Sequence, residues 1–135
     1  SPTSTAPVRR PASARRKGAS AASDVYKGQG MTGSTGSANN TTGTSASFNY
    51  PSGITTDGTN LYVAETSNHL IRKIVISTGV VTTVAGTVST ACTVSSGSAN
   101  GTGTSASFNQ PSEITTDGIN LYVADLGNHL IRQIE

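Results

Sequence analysis

The side chains best suited to chemistry recur at an interval of sixty residues. His69 and His129 hold equivalent places, each directly after an Asn and before a Leu. One interpretation is a ring of histidines that binds a metal ion or transfers protons. Two histidines without an accompanying pair of carboxylates do not form a metal site, so we interpret both as turn residues that precede a strand. The pattern therefore predicts neither a metal ion nor a cofactor.

The Asn residues before these histidines are typical of tight turns. Asn68 and Asn128 tolerate the left-handed backbone conformation that such turns require. A carboxylate lies three residues before each Asn, at Glu65 and Asp125. A carboxylate in this position can accept hydrogen bonds from the N–H groups of the turn. We therefore predict a structural role for both acidic residues.

A second pair of acidic residues belongs to two Asp-Gly turns. Asp57-Gly58 and Asp117-Gly118 each end a β-branched run, and Asp-Gly is a strong signal for a turn between two strands. Calcium needs roughly six to eight converging oxygen ligands, and this spacing does not supply them in one loop. Turn formation is therefore the predicted role of these four residues.

Arg72 and Arg132 also recur, and two interpretations stay open for them. Each Arg could bridge to a neighbouring repeat, or it could line a rim that faces a ligand. Residues 31–135 carry three basic and six acidic side chains, so the charge of this part gives no reason to expect nucleic acid. Binding at a rim is thus a hypothesis for both residues, with a protein or a small molecule as the partner.

The sequence contains no motif that would place a nucleophile beside its base. Gly-x-Ser-x-Gly, Cys-x-x-Cys, His-Glu-x-x-His and the phosphate-binding loop are all absent. Ser and Thr are abundant, but none has a partner base of known geometry, so no catalytic residue is predicted. Cys92 is the only cysteine. It cannot form an internal disulfide, and its role stays open.

The composition favours short strands joined by turns. Charged residues make up 12% of the chain, aromatic residues 4%, and Trp is absent. Long helices need more of the strong helix-forming residues than this, and no apolar run of about eighteen residues suggests a membrane span. The location of the protein is unknown from the sequence. The bias towards Ser, Thr, Gly and Asn favours an extracytoplasmic or secreted one.

The first thirty residues differ in character from the rest of the chain. They carry six basic side chains and one acidic side chain. Residues 20–29 resemble the translated adaptor of a shotgun sequencing library, except at Gly28, and Val8-Arg9-Arg10-Pro11 resembles the primer upstream of that adaptor. We therefore predict that residues 1–30 are disordered and not native to the protein, and that the source is metagenomic.

The elements that position the candidate residues are two copies of one repeat. Residues 43–74 align with residues 103–134 without a gap, and 25 of the 32 aligned positions are identical. The pairs that differ are Tyr50/Gln110, Gly53/Glu113, Thr59/Ile119, Glu65/Asp125, Thr66/Leu126, Ser67/Gly127 and Lys73/Gln133. Most of them fall in predicted loops and at the starts of predicted strands. This distribution is expected of a shared scaffold whose loop-bearing edges vary from repeat to repeat.

Each repeat is predicted to form an antiparallel blade of four strands. Alternating and β-branched apolar runs give the strands, and Pro51 and Pro111 open the first strand, where a missing N–H is tolerated. One such sheet cannot bury both of its faces, so copies must stack around an axis. We predict an all-β partial β-propeller of about two blades, the second truncated. The blades are residues 51–86 and 111–135, and the inter-repeat loops are residues 31–50 and 87–110.

The motif around each histidine resembles the NHL repeat. The shared pattern runs Pro-x-x-Ile-x-x-Asp-Gly-x-Asn-Leu-Tyr-Val-Ala, then Asp or Glu, and ends in Asn68-His69-Leu70 and Asn128-His129-Leu130. The resemblance covers both predicted blades, and the long inserts are similar to those of bacterial members. It implies a propeller, commonly of about six blades, in which further repeats of the same full-length chain are packing partners.

The resemblance implies a non-catalytic scaffold that binds a protein or a small ligand. Two alternatives stay open. A metal-dependent lyase or hydrolase would hold its catalytic residues in blades that this sequence does not contain. An adhesive or structural surface protein would also fit the polar composition. Some NHL proteins bind RNA through a basic face, but the acidic balance of residues 31–135 makes nucleic acid an unexpected partner.

Overall fold

The computed structural model describes residues 36–39, 45–88 and 94–135. Two subjects of the sequence analysis lie outside this part of the chain, namely the predicted disorder of residues 1–30 and the role of Cys92. The described residues form a four-stranded sheet and a three-stranded sheet, both antiparallel, and a short hairpin. The predicted all-β fold of antiparallel blades is confirmed.

The first sheet is a meander in which each strand pairs with the next. Its strands are β1 (Pro51–Thr56), β2 (Asn60–Glu65), β3 (Leu70–Val75) and β4 (Val81–Ala85). The turn between β1 and β2 contains Gly58, which has a φ of 91°. This conformation is easily accessible to glycine and costly for residues with a Cβ. The Asp-Gly turn therefore lies where the sequence predicts it.

The second sheet repeats the first three strands of the first. A short hairpin of β5 (Thr87–Val88) and β6 (Val94–Ser95) comes before it, and its own strands are β7 (Pro111–Thr116), β8 (Leu121–Asp125) and β9 (Leu130–Ile134). Two 3-10 turns cover Gly103–Ser105 and Leu126–Asn128. The predicted loop at residues 87–110 therefore contains regular structure. No helix among the described residues is long and apolar enough to cross a membrane.

The two sheets stack against each other across an apolar core. The buried residues of this core are Ala64, Ile71 and Ala85 of the first sheet, Ile114, Leu121 and Val123 of the second, and Ala106 and Phe108 of the loop before β7. Strands β1 and β7 of the two sheets lie in direct contact. A Cβ on Gly53 would lie 2.6 Å from the carbonyl oxygen of Ser112. Stacking thus covers one face of each blade.

The ends of the inter-repeat loops belong to the core. Ala46 is fully buried beside Val63, Ile74 and Val81 on the other face of the first sheet. Phe108 is 1% exposed between the two sheets. Residues 46–48 and 106–108, at the ends of the inter-repeat loops, therefore pack against the sheets. Their alanine and phenylalanine side chains supply enough apolar surface to hold them against the sheets.

Candidate functional site

Arg72 lies at the centre of a buried polar cluster in the first blade. Its Nη1 donates to Oε2 of Glu65 at 2.8 Å, and both side chains are 0% exposed. Nη1 also donates to the carbonyl oxygen of Ser47 at 3.1 Å. Nη2 donates to the carbonyl oxygen of Ala38 at 2.8 Å and to Oδ1 of Asn39 at 2.9 Å. The guanidinium group therefore fastens the loop before β1 to strands β2 and β3.

Glu65 completes this cluster with its second oxygen. Oε1 accepts hydrogen bonds from the N–H of Asn49 at 2.8 Å and from Nδ2 of Asn68 at 2.9 Å. Nδ2 of Asn68 also donates to the carbonyl oxygen of Gly36 at 2.6 Å. Burial raises the pKa of Glu65, and the positive charge of Arg72 opposes this shift. We call the carboxylate, Asn68, Arg72 and their loop partners the buried clasp.

The second blade contains the same clasp, built around Asp125. Nη1 of Arg132 donates to Oδ2 of Asp125 at 3.0 Å and to the carbonyl oxygen of Ser107 at 3.0 Å. Asp125 also accepts from the N–H of Asn109 at 2.7 Å and from Nδ2 of Asn128 at 2.8 Å. A carboxylate one methylene shorter therefore makes the same set of contacts.

An aromatic ring covers each clasp. The guanidinium carbon of Arg72 lies 5.0 Å from the ring centre of Phe48, and that of Arg132 lies 4.9 Å from the ring centre of Phe108. A cation within about 6 Å of a ring face is attracted by the charge distribution of the ring. Both Phe residues belong to the loops before β1 and β7. The clasp and the ring together fix the path of each loop.

The clasp contradicts the hypothesis that Arg72 and Arg132 bind a ligand at a rim. Arg72 is 0% exposed and Arg132 is 8% exposed, and Nη1 and Nη2 of each already donate to the carboxylate and to loop oxygens. Among the described residues neither Arg bonds to the next repeat, and each ties its own blade to the loop that precedes it. Glu65 and Asp125 likewise accept the backbone N–H of that loop rather than one from their own turn.

The turn between β2 and β3 and the equivalent turn between β8 and β9 each contain one residue in the left-handed backbone conformation. That residue is the histidine and not the asparagine. His69 has a φ of 56° and His129 a φ of 57°. Asn68 and Asn128 direct their side-chain amides into the clasps instead. The prediction that the Asn residues adopt the left-handed conformation is therefore wrong. The sequence pattern thus predicts the position of the turn correctly, but it assigns the left-handed conformation to the Asn instead of the His.

The remaining residues of the motif differ in burial between the two blades. Leu70 is fully buried, and it lies against Gly86 at the end of β4, a strand without a counterpart in the three-stranded second sheet. Its equivalent Leu130 is 44% exposed. Pro111 is buried beside the first blade, whereas its equivalent Pro51 is exposed. Equivalent residues are thus buried only where a neighbouring strand or blade covers them.

The two Asp-Gly turns are closed by their Asp side chains. Asp57 accepts hydrogen bonds from the N–H groups of Asn60 and Thr59 at 2.7 and 2.9 Å and from the hydroxyl of Tyr62 at 2.9 Å. These bonds, first of all that from Asn60, hold the pKa of Asp57 well below its ordinary value. Asp117 makes the equivalent bonds, and its pKa is lowered for the same reason. Gly118 has a φ of 93° in the second of these turns.

The residues that suggested metal or acid–base chemistry do not form one cluster in the described part of the chain. Asp125 is bound within its clasp, and Asp57 and Asp117 lie in turns at the opposite end of the strands. Among the residues that the structure describes, no three His, Cys, Asp or Glu side chains are grouped so that they could hold a metal ion. The carboxylates are occupied by hydrogen bonds that stabilise loops and turns.

His69 has a further contact that the sequence did not predict. Its Nδ1 accepts a hydrogen bond from the N–H of Gln110 at 3.0 Å, so this nitrogen carries no proton. Gln110 belongs to the second repeat, and the bond therefore joins the two blades. Burial lowers the pKa of His69, while the negative charge of Asp125 opposes this shift. Both the bond and the burial favour the neutral imidazole.

This contact predicts that the stability of the protein depends on pH through His69. The folded pKa is lowered, so the folded protein binds fewer protons here than the unfolded chain. The contribution is therefore fully present above the unfolded pKa of about 6.5 and is lost as the pH falls through the folded pKa. We expect urea unfolding at pH 5 to 8 to show this loss in the wild type. His69→Gln removes the titrating group and should flatten the profile.

His129 provides the matched control for this experiment. It has the same backbone conformation, but it is exposed. His129→Gln removes a histidine with the same backbone conformation but leaves the bond between His69 and Gln110 in place. Equal flattening by the two substitutions would show that the bond between His69 and Gln110 is not its source.

One end of the stacked sheets carries most of the positions at which the repeats differ. The start of β1 lies beside the end of β2, because Pro51 pairs with Glu65 and the N–H of Thr66 donates to the carbonyl oxygen of Tyr50 at 3.0 Å. Positions 50, 53, 65, 66 and 67, five of the seven that differ, therefore lie at this end. We call its exposed and half-buried members the variable rim. They are Tyr50, Thr66, Ser67, Gln110, Glu113, Leu126 and Gly127.

The variable rim continues from one blade to the next. The hydroxyl of Thr66 donates to the carbonyl oxygen of Pro111 at 2.9 Å, and that of Ser52 donates to the carbonyl oxygen of Ser112 at 2.8 Å. Tyr50 is 70% exposed and Leu126 is 57% exposed. The rim thus presents an aromatic ring and an aliphatic side chain on a frame of hydrogen-bonded strands.

Comparison with known proteins gives a short match in sequence and long matches in structure. No family model matches the chain. Over 41 residues, 30% of the chain, it is 54% identical to NHL repeat-containing protein 2 of Gallus gallus, of which this stretch covers 6%. Together with the solved structures described next, this match supports an NHL-type family.

Several solved structures share the fold of the chain. A structural genomics protein of unknown function from Bacteroides thetaiotaomicron matches 77% of the chain with a TM-score of 0.67 and 28% identity. An auxiliary nutrient binding protein from Bacteroides ovatus matches 76% of it with a TM-score of 0.63 and 26% identity. The chain covers 25% and 26% of these two proteins. These folds are β-propeller-like, which confirms the chain as a partial propeller.

Proposed function

We propose that this chain is a non-catalytic part of a propeller that binds a protein or a small ligand through the variable rim. The distribution of differences between the repeats carries this proposal. The Arg and the carboxylate that recur in both repeats are buried in the clasps, whereas three pairs of residues that differ lie together on the rim. A rigid frame with differing exposed residues is the usual arrangement of a binding surface.

The clasps support this function because they hold the rim in one conformation. The N–H of Asn49 is bound to Glu65, and Tyr50 follows directly with a φ of 53°. In the second blade, Asp125 binds the N–H of Asn109, and Gln110 follows with a φ of 54°. Tyr50 and Gln110 thus each follow directly after a residue whose N–H is bound by a buried carboxylate. A preorganised surface loses little conformational entropy when it binds.

The chemistry of the rim indicates what it would bind. Apart from the carboxylate of Glu113, its side chains are uncharged, with a phenol at Tyr50, an amide at Gln110 and an isobutyl group at Leu126. Exposed aromatic residues are frequent in binding surfaces, and a rim whose charged side chain is a carboxylate gives no attraction for phosphate groups. Such a rim suits a peptide or a carbohydrate. The similarity to an auxiliary nutrient binding protein from Bacteroides ovatus, at 26% identity, supports a ligand-binding role.

An array experiment tests this proposal. The labelled full chain is applied to immobilised peptides and oligosaccharides, and each compound retained is titrated by calorimetry. We expect Tyr50→Ala combined with Leu126→Ala to weaken binding at least about tenfold, since both side chains are largely exposed and contribute contact area rather than stability.

Substitutions at the other end of the strands are the matched control. Thr59 and Ile119 are exposed, and Ile119 is 87% exposed. Thr59→Ala combined with Ile119→Ala should leave the dissociation constants unchanged. The proposal is refuted if the substitutions at Thr59 and Ile119 weaken binding while those at Tyr50 and Leu126 do not. The ligand would then bind at the end of the blades opposite the variable rim.

A further inference from the structure

Asn100 is the only asparagine of the chain that is followed by a glycine. Its Oδ1 accepts a hydrogen bond from Nη2 of Arg132 at 2.8 Å, as part of the clasp of the second blade. A Cβ on Gly101 would lie 2.7 Å from the carbonyl carbon and oxygen of Ser105 and 2.9 Å from the nitrogen of Ala106. These are backbone atoms, so the loop has room only for glycine at this position. The clasp and the loop together account for the Asn-Gly pair.

Both residues of the pair are exposed to solvent. The equivalent Asn39 is exposed as well, although β4 lies beside it and the hydroxyl of Thr83 donates to its Oδ1 at 3.2 Å. A fourth strand beside a clasp therefore leaves this position open. A preceding blade also leaves it open, because Asn100 is exposed with the first blade in place. Access of water is thus a property of the loop itself.

The backbone N–H of Gly101 has no hydrogen-bond acceptor in the described part of the chain. The two Asp-Gly pairs differ in this respect. The N–H of Gly58 donates to the hydroxyl of Thr56, and the N–H of Gly118 donates to the hydroxyl of Thr116, at 3.0 Å each. A glycine nitrogen that is held in this way is not free to attack the side-chain carbonyl carbon of the residue before it. The nitrogen of Gly101 is free to do so.

Arg132 polarises the carbonyl group that such an attack would reach. Its Nη2 already donates to Oδ1 of Asn100, and the residue is only 8% exposed. When a nitrogen adds to Cγ, negative charge develops on Oδ1. A donor that is directed at this oxygen beforehand stabilises the charge, so the guanidinium group lies where it favours the reaction.

We propose that Asn100 is a modification site at which the folded protein deamidates without the help of an enzyme. The nitrogen of Gly101 forms a bond to Cγ of Asn100, the bond from Cγ to Nδ2 breaks, and Nδ2 leaves as ammonia with the proton of the Gly101 N–H. The product is a cyclic succinimide, which a water molecule opens. Opening at Cγ gives aspartate, and opening at the backbone carbonyl carbon gives isoaspartate. Neither step needs an oxidant or a reductant.

Both products change the clasp of the second blade. Aspartate places a second carboxylate beside Arg132, which already forms an ion pair with Asp125. Isoaspartate adds a methylene to the main chain directly after Ala99, whose carbonyl oxygen accepts from Nη2 of Arg132 at 3.0 Å. The modification therefore acts on the group that fastens the loop before β7. This inference does not depend on binding at the variable rim.

The experiment is peptide mapping by mass spectrometry after the full chain has been incubated at neutral pH. Asn39 is the matched control, because Arg72 donates to its Oδ1 at 2.9 Å but Asn40 follows it. The side chain of Asn40 hinders attack by its own backbone nitrogen. We therefore expect Asn100 to change from amide to carboxylic acid at least about tenfold faster than Asn39, a difference of about 1.4 kcal/mol in the barrier. Equal rates at the two positions would overturn the proposal.

Incubation in denaturing urea is the decisive arm. Urea unfolds the clasp and removes Arg132 from Oδ1, while the Asn-Gly pair stays the same. We expect the folded protein, verified as folded by circular dichroism, to deamidate at Asn100 at least as fast as the unfolded chain, with both aspartate and isoaspartate as products. A slower rate in the folded protein would show that the fold protects the site and would overturn the proposal. So would aspartate as the single product, since direct hydrolysis of the side-chain amide gives no isoaspartate.

Discussion

Arg72→Met is expected to lower the free energy of unfolding by about 3–5 kcal/mol, the range typical for removing one partner of a buried ion pair. The substitution leaves Glu65 with 0% exposure and without its cation. It also removes the hydrogen bonds that the guanidinium group donates to the carbonyl oxygens of Ala38 and Ser47. Because methionine fills a similar volume, the change in the free energy of unfolding comes from the lost polar contacts and not from a cavity.

Urea unfolding followed by circular dichroism measures this effect. Arg132→Met is the matched substitution in the second blade, where the side chain is 9% exposed and lies near the open edge. Its cost should be smaller, because water can reach the carboxylate that is left behind. Glu65→Leu combined with Arg72→Met should recover part of the loss, since no buried charge remains. An Arg72→Met variant as stable as the wild type would show that the clasp does not stabilise the fold.

The strands and turns were predictable because their signals are local. Asp57-Gly58 closes a turn through bonds to residues two and three positions further along the chain, and such contacts follow from residue type alone. The strands β1 to β4 follow from alternating and β-branched residues over five or six positions each. The need to stack blades followed from a sheet with two apolar faces.

The clasp could not be predicted because its partners are far apart in the chain. Arg72 binds Ala38 and Asn39, which lie 34 and 33 residues before it, and no periodicity specifies the path of that loop. One signal was present in the sequence. Between the repeats, position 65 changes only from Glu to Asp, whereas positions 66 and 67 change in character. A change that keeps the charge indicates a carboxylate with a fixed partner.

The variable rim was partly predictable. The comparison of the two repeats identifies the residues that differ, and it places most of them in loops and strand starts. It does not show that Tyr50 and Thr66 lie at the same end, because that depends on the pairing of β1 with β2. The contact of His69 with Gln110 was also hidden, since it joins residues 41 positions apart across two blades.

Phe108→Ala should lower the free energy of unfolding by about 3–5 kcal/mol, as for other buried phenylalanines. Phe108 is 1% exposed and lies in the core between the sheets with Ile114 and Val123. Its ring also covers the guanidinium group of Arg132 at 4.9 Å. The truncation therefore opens a cavity at the blade interface and exposes the clasp of the second blade to water.

Phe48→Ala is the comparison that separates the contribution of blade stacking from that of the contact between ring and cation. Phe48 covers Arg72 at a similar distance of 5.0 Å, but it lies on the open face of the first blade and is only half-buried. If the contact between ring and cation were the main contribution, the two substitutions would cost the same, because both remove it. We expect Phe108→Ala to cost clearly more in urea unfolding, since it alone lies between two blades. Equal costs would mean that stacking of the blades contributes little to stability.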